Sequence, residues 1–516
     1  MVNRPTLTPV TIQEVEAAGQ ARRRAIFVTG LVSAVVLTLI GSALVLSDQG
    51  LYVIAVMLVF VPIVVWRYPS AGVTILLWIA LDFEAFPEKV FVTGGVPLLK
   101  NLPGIHFTPT EFLMVAIVLV LLIRALNEGT LQIRRTPLLV ALLGLMAFVL
   151  FAEVEGLSRG ANINTTAWEI RPWIYLFVLY FVAAQMVRNP RLPQMVLWVI
   201  VIVSGIKGIQ GTILYLPTLG RQSRPETLLD HEEALMLGCF LILTTALWVF
   251  GRSGWLRRTA TLLAPFVLAA EIGNDRRTAW IILALGVLAV GFLGWVSMPE
   301  RRGRLAVAVA VVAVVLSVYV PAFWTSTSSL ARPVQAFRSV SSPDYRNQAS
   351  NDYRDAENRD LEYNIKKTTP VGMGFGIKYQ TPIPLIDVSK IDPLIAYIPH
   401  NTILYLWWRV GLGGFIVFWA VIGTGIIGAC ALVRARRRGE DPSDAMLGAL
   451  VVGLLLGYLA EAWFDQGMTS VRIAIETGAL LGVMDGVLLR RMALFPDSAS
   501  RRLPWWLGRP AAVTEG

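Results

Sequence analysis

The sequence predicts an all-α polytopic membrane protein. Three observations carry this. Hydrophobic residues make up 55% of the 516 positions and charged residues only 16%. The apolar residues gather in successive runs of roughly 17 to 22, each about the length that crosses a bilayer as a helix. The runs are continuous and lack the two-residue alternation of barrel strands, and a spanning helix satisfies its own backbone hydrogen bonds.

Taken in order, the runs give about fourteen spans. They lie near 25–46, 51–66, 71–83, 110–126, 137–153, 171–187, 194–216, 232–250, 258–273, 278–296, 304–322, 400–433, 444–463 and 471–489. Arginine clusters mark alternate connections. Arg22 to Arg24, Arg67, Arg124 with Arg134 and Arg135, Arg188 with Arg191, and Arg252 with Arg257 and Arg258 fall on one side. Arg301, Arg302, Arg304, Arg434, Arg436 to Arg438, Arg490 and Arg491 follow on the same side. The loop-charge bias makes that side cytoplasmic, with both termini inside. No small-residue cleavage site follows the first apolar run, so it reads as a span and not a signal peptide.

The chain therefore divides into a cytoplasmic segment (1–24), eleven spans (25–322), a large outer loop (323–399), three further spans (400–489) and a cytoplasmic tail (490–516). A net charge of +10 is explained by the clustered loop arginines, and nucleic acid is not needed as a partner. Cys239 and Cys430 lie far apart in apolar runs, without metal-ligand spacing, and read as packing residues. No βαβ context surrounds the glycines at 372–376, so no nucleotide fingerprint is present, and no cofactor is expected.

The side opposite the arginine clusters carries the longer connections, 84–109, 154–170, 217–231 and 323–399. The last is too long for a simple link and reads as functional. Within it, Asp352 to Lys367 has a helical composition. Pro370-Val371-Gly372-Met373-Gly374-Phe375-Gly376 is a turn whose glycines permit close backbone approach.

The polar chemistry gathers at this side. His400, one of three histidines, opens the twelfth span directly after the long loop. Arg171, Arg221, Arg224, Arg276, Arg277, Arg354 and Arg359 sit where the charge bias disfavours arginine. Singly, each can snorkel or pair locally, Arg276 with Asp275 and Arg359 with Glu362. Together they suit an anion such as a diphosphate, which guanidinium forks bind bidentately and helix N-termini favour. At a helix start among arginines, His400 is expected to stay neutral, able to take a proton from an attacking hydroxyl. The plainer alternative is an interfacial histidine bonded to a backbone carbonyl.

Acids compete for the base role: Asp82, Glu84 and Glu88 end an outward span. Asp352, Asp355 and Glu357 could hold a divalent ion, but a solvated face is the simpler reading and no metal site is expected. Lys207, Arg409 and Glu461 fall inside spans, where charges face a cavity or a partner. Arg409 lies about 13 Å deeper than His400, placed to line a phosphate groove or to pair with Glu461. Arg472 and Glu476 have the i, i+4 spacing of a helical pair.

Pro399-His400-Asn401-Thr402-Ile403-Leu404 with Gly411-Leu412-Gly413-Gly414 resembles the His-Asn motif and following glycine-rich helix of the O-antigen ligase and O-antigen polymerase family. Tyr353-Arg354 followed by Pro370 and Gly372-Met373-Gly374-Phe375-Gly376 is similar to that family's outer loop. Asn274-Asp275-Arg276-Arg277-Thr278-Ala279 resembles its Ser-Arg-small-Ala helix start, with Asn-Asp where serine is usual. Arg224 ahead of Asp230-His231-Glu232 resembles its arginine before a Pro-Asn stretch, loosely.

The resemblance implies a GT-C-like, inverting, metal-independent glycosyltransferase of the bacterial inner membrane with a periplasmic site. His400 is then the catalytic base. Arg224, Arg277, Arg276, Arg354, Arg221 and Arg171 hold the diphosphate, with Asn401, Arg409 and Arg359 in support. It implies an undecaprenyl-diphosphate-linked glycan as donor, a glycan or lipid A core as acceptor, membrane lipids around it, and a chain-length regulator as a candidate partner. The span count leans to polymerisation of O-antigen or exopolysaccharide repeats. Ligation of a finished chain to lipid A core is the alternative. A polysaccharide or lipid flippase is the alternative of another class, but it calls for repeat symmetry and a midplane site.

Overall fold

The computed structural model describes residues 50–83, 98–99, 101, 107–129, 132–219, 228–251, 254–326, 328–368, 370–387, 394–435 and 442–494. Among them the regular structure is helical, with no strand. The expected first span, the tail, Glu84, Glu88, Arg221 and Arg224 lie outside the described residues.

Seven helices precede the first arginine turn of interest: α1 (Gly50–Arg67), α2 (Ser70–Asp82), α3 (Pro109–Asn127), α4 (Pro137–Ser158), α5 (Ile163–Phe181), α6 (Leu192–Tyr215) and α7 (Glu233–Val249). Then come α8 (Trp255–Asn274), α9 (Arg277–Ser297) and α10 (Arg302–Phe323). The long loop folds into α11 (Arg332–Ser341) and α12 (Tyr345–Thr368). The bundle closes with α13 (Thr402–Ala435), α14 (Pro442–Phe464) and α15 (Val471–Leu494).

Eight of these helices, α3 to α6, α9, α10, α13 and α14, are long and apolar enough to cross a membrane by length and composition. Their starts follow local chemistry. Thr108 caps α3 in a capping box with Glu111, and Pro109 occupies the first turn, where no amide is missed. Thr136 caps α4 ahead of Pro137 in the same way.

The 34 residues of α13 would make about 51 Å of straight helix, more than a bilayer core. The expected single span is instead interrupted at Gly411, whose φ of 69° and ψ of −176° are not helical. The glycine turn fills the break. The amides of Met373 and Gly374 donate to the carbonyls of Trp408 and Arg409, and Leu412 donates to Pro370. Gly372 and Gly374 both have positive φ. A Cβ on Gly374 would meet Gly156 backbone at 2.3 Å, so only glycine fits between α4 and α13.

Beneath this turn, Arg409 is fully buried and ion-paired to Glu169 of α5 at 2.8 Å. It also donates to the carbonyls of Gly374 and Tyr397. Glu169 accepts from Tyr405 and from the Gly376 amide. Neither expected partner of Arg409, a phosphate groove or Glu461, is its contact. The acid on α5 reaches it because α13 is broken one turn away. Arg472 likewise binds Glu233 and Glu232 of the α7 start rather than Glu476, and Lys207 faces Glu233 at 3.7 Å. Cys239 and Cys430 are free thiols in the bundle.

Candidate functional site

His400 precedes the α13 cap. Asn401 accepts from the Leu404 amide as that cap, so its role is to start the helix. The Thr402 hydroxyl donates to the Ala462 carbonyl, tying the helix start to the end of α14.

The His400 ring meets Glu357 of α12. Nδ1 lies 3.1 Å from Oε2, and the same carboxylate accepts the His400 backbone amide at 3.0 Å. Glu357 also accepts from the Tyr379 hydroxyl and is almost fully buried. A carboxylate only accepts, so Nδ1 carries the hydrogen and Nε2 keeps its lone pair. Tyr353 packs its ring edge-on against the imidazole, with centroids 5.8 Å apart. The partner of His400 is therefore a carboxylate and not a backbone carbonyl. Glu357 is committed to the histidine and not to a metal set with Asp352, which bonds Gln348.

Burial pushes the His400 pKa down, but the hydrogen bond and charge of Glu357, with the charge of Asp465, outweigh it; Arg354 opposes them. The net shift is upward. The expectation that arginines and a helix end keep this ring neutral is corrected, because it omitted the buried acid.

Beside the dyad is a cavity of about 220 Å³. Arg276 and Arg277 from the α8–α9 turn, Arg332 and Arg338 from α11, and Arg354 from α12 line it, against Asp275, Asp344 and Asp465. Asp275 makes the turn by adopting φ of 58°, the one positive-φ non-glycine residue among the described ones. It faces Arg332 at 3.6 Å, not Arg276 as a local pair would require. Arg277 donates to Asn351. Arg332 also donates to the carbonyls of Ile272 and Gly273, which close α8.

Arg276 is buried and its Nε has no hydrogen-bond partner among the described residues. Burial lowers its pKa, Asp465, Glu461 and Asp230 oppose that, and nearby Arg354 lowers it further. Burial alone would raise Asp465. The hydrogen bond and charge of His231, then the charges of Arg354 and His400, hold it well below the carboxylate range instead. The His231 Nδ1 to Asp465 Oδ2 distance is 3.1 Å.

Three of the expected arginines thus meet at one cavity: Arg276, Arg277 and Arg354. Arg171 does not line it; it pairs with Glu111 at 2.7 Å and stacks on Trp168. Arg359 is exposed on α12. Asp82, a candidate base, is buried and bonded to Trp78. Sequence reasoning missed Glu357 as the histidine's partner, and Arg332, Arg338 and Asp465 as lining. One signal was available. Arg354 and Glu357 are three apart on a stretch with helical composition, so they share a face.

Residues 262–419 match the family model described as O-antigen ligase. This span carries the α8–α9 turn, both loop helices, the glycine turn and His400, and it supports the O-antigen ligase and polymerase superfamily for this chain. Among curated proteins none matches the chain.

Proposed function

For this chain of the O-antigen ligase and polymerase superfamily, we propose transfer of a glycan from an undecaprenyl-diphosphate carrier to an acceptor hydroxyl, at the periplasmic face of the inner membrane. One observation carries the reading. Glu357 holds His400, and Arg354, one turn earlier on the same helix, lines the arginine cavity. A single helix thereby joins a proton acceptor to an anion-binding site.

In this reading Arg276, Arg277 and Arg354, with Arg332 and Arg338, hold the diphosphate. Arg276 is the innermost, since its Nε has no protein acceptor. Arg224 and Arg221 are candidate further ligands. Neutral His400 takes the acceptor proton on Nε2 as the oxygen attacks the anomeric carbon from the face opposite the leaving group. The anomeric C–O bond breaks, the configuration inverts, and the diphosphate leaves with its charge stabilised by the guanidinium groups. No metal enters this scheme. Glu357 orients the ring and stabilises the imidazolium as it forms. The glycine turn, seated in the α13 break, fixes the segment between α12 and His400.

The reading includes about fourteen crossings with both termini cytoplasmic, following the loop-charge bias. Polymerisation of repeat units follows from that span number. Ligation to lipid A core is favoured by the description of the matched family. A size-resolving gel of surface glycan from a strain lacking the protein tests both. Single repeats on the normal anchor mean polymerisation. Full-length chains left on the carrier with a bare acceptor mean ligation. An unchanged glycan profile overturns the proposal.

A further inference from the structure

A second cavity, of about 290 Å³, lies at the other end of the bundle. Arg472 of α15 sits near the His400 site, and Arg490 of the same helix lines this cavity. The two are roughly 27 Å apart along the helix. Arg134, Arg188 and Arg490 line it, above a floor that includes Ala183, Val483 and Leu489. No Asp or Glu is among its lining residues.

Arginines at this end follow the loop-charge bias, but the bias does not explain why three separate segments converge on one cavity. The convergence is built. The end of α5 widens into a π turn over Val182–Met186, in which the Val187 amide reaches back to Val182. Such turns cluster at functional positions. The turn presents buried Gln185 to the connection before α4. Its amide accepts from the Arg134 backbone N–H at 3.0 Å and donates to the Arg134 carbonyl at 3.1 Å. Arg490 donates to the carbonyls of Gly486 and Asn189, at 3.3 and 3.4 Å. Neutral amides and carbonyls therefore fix two of the cationic segments, and no lining carboxylate offsets the gathered charge. Like charges held around an apolar floor favour an anion with an apolar body. A free ion leaves that floor unused.

We propose that this cavity binds an anionic diacyl phospholipid from the leaflet at that end, its phosphate on Arg134, Arg188 and Arg490 and its upper acyl carbons on the floor. This does not rest on the proposed transfer reaction. The test uses full-length protein, delipidated in detergent. Dioleoylphosphatidylglycerol, dioleoylphosphatidylcholine and inorganic phosphate are titrated separately, with retained lipid read by native mass spectrometry and Tm by melting. Phosphatidylglycerol is expected to be retained at least about fivefold over phosphatidylcholine. The triple variant Arg134→Gln, Arg188→Gln, Arg490→Gln loses that preference, and Arg257→Gln with Arg258→Gln, outside the cavity, keeps it. Equal retention of both lipids, or a preference that persists in the triple variant, overturns the proposal. So does inorganic phosphate that raises Tm as much as the lipid, which marks a simple anion site. Should the triple variant fail to fold, Ala184→Leu narrows the floor and leaves the charges. It is expected to lose phosphatidylglycerol, and unchanged retention overturns the proposal.

Discussion

Two sets of arginines in this bundle are chemically alike and differently finished. Arg409 and Arg472 are buried among helices, and each has its acid supplied from another helix, Glu169 for one and Glu233 with Glu232 for the other. The five arginines around the His400 cavity share three aspartates, and the Arg276 Nε has no protein acceptor among the described residues. The first set neutralises itself and holds helices together. The second is left cationic, and that residual charge is what an anionic substrate completes. Burial alone does not distinguish structural arginine from functional arginine; the supply of internal acid does.

The sharpest way to break this comparison is at the proton acceptor. His400→Ala is expected to lower transfer by roughly a hundred- to ten-thousandfold, the usual range for a positioned base. Protein abundance in the membrane should stay normal. A radiolabelled-glycan transfer assay on matched membranes checks it, and wild-type product from the variant would remove His400 from the chemistry.

Next in size is the self-neutralised set. Arg409→Met leaves Glu169 buried without its cation, a loss of about 3–5 kcal/mol. Reduced protein level and a lowered Tm are expected, before any question of activity. Adding Glu169→Gln should recover part of the loss, because the uncompensated charge is then gone. An Arg409→Met protein that is abundant, stable and merely inactive would move Arg409 into the substrate site.

Arg276→Lys should do the reverse, leaving abundance unchanged and weakening donor use by roughly ten- to a hundredfold, as expected when charge-assisted hydrogen bonds to an anion are lost. Arg277→Lys should be milder, since that guanidinium already donates to Asn351. Steady-state kinetics with a lipid-diphosphate donor would separate the two. Equal effects would mean that the unpartnered Nε of Arg276 has no special part.

Much of the helical framework is legible in the sequence because its signals are local. The run expected over 278–296 is α9 at Arg277–Ser297, and the one over 137–153 starts at Pro137 as α4 does. Apolar length, a threonine cap and a proline suffice there. The site is legible in part. His400 and the α8–α9 turn stand out because charge at an outward helix end is unusual. Their partners do not, since Glu357 is 43 residues from His400 and looks like any acid on a polar helix. Arg332 and Arg338 sit in what reads as loop, and only the packing of α11 brings them to the cavity. The Gly411 break is hidden for another reason. A glycine inside an apolar run is compatible with a straight helix, and the break exists because the turn at 370–376 supplies donors to the freed carbonyls.

The smallest and most specific test concerns Glu357. As a base, His400 works only when unprotonated, so transfer falls as pH drops through its pKa. Glu357 is the largest influence raising that pKa, and it also fixes which ring nitrogen faces the substrate. Glu357→Gln keeps the shape and removes the charge. The acid limb of the pH–rate profile should therefore move to lower pH, while the plateau rate falls because the developing imidazolium loses its counter-charge. The two changes oppose each other on the acid side, so the variant retains a larger fraction of its own maximum at low pH than the wild type does. A purely structural role for Glu357 predicts a lower plateau with the limb unmoved, and that outcome would uncouple the carboxylate from the base.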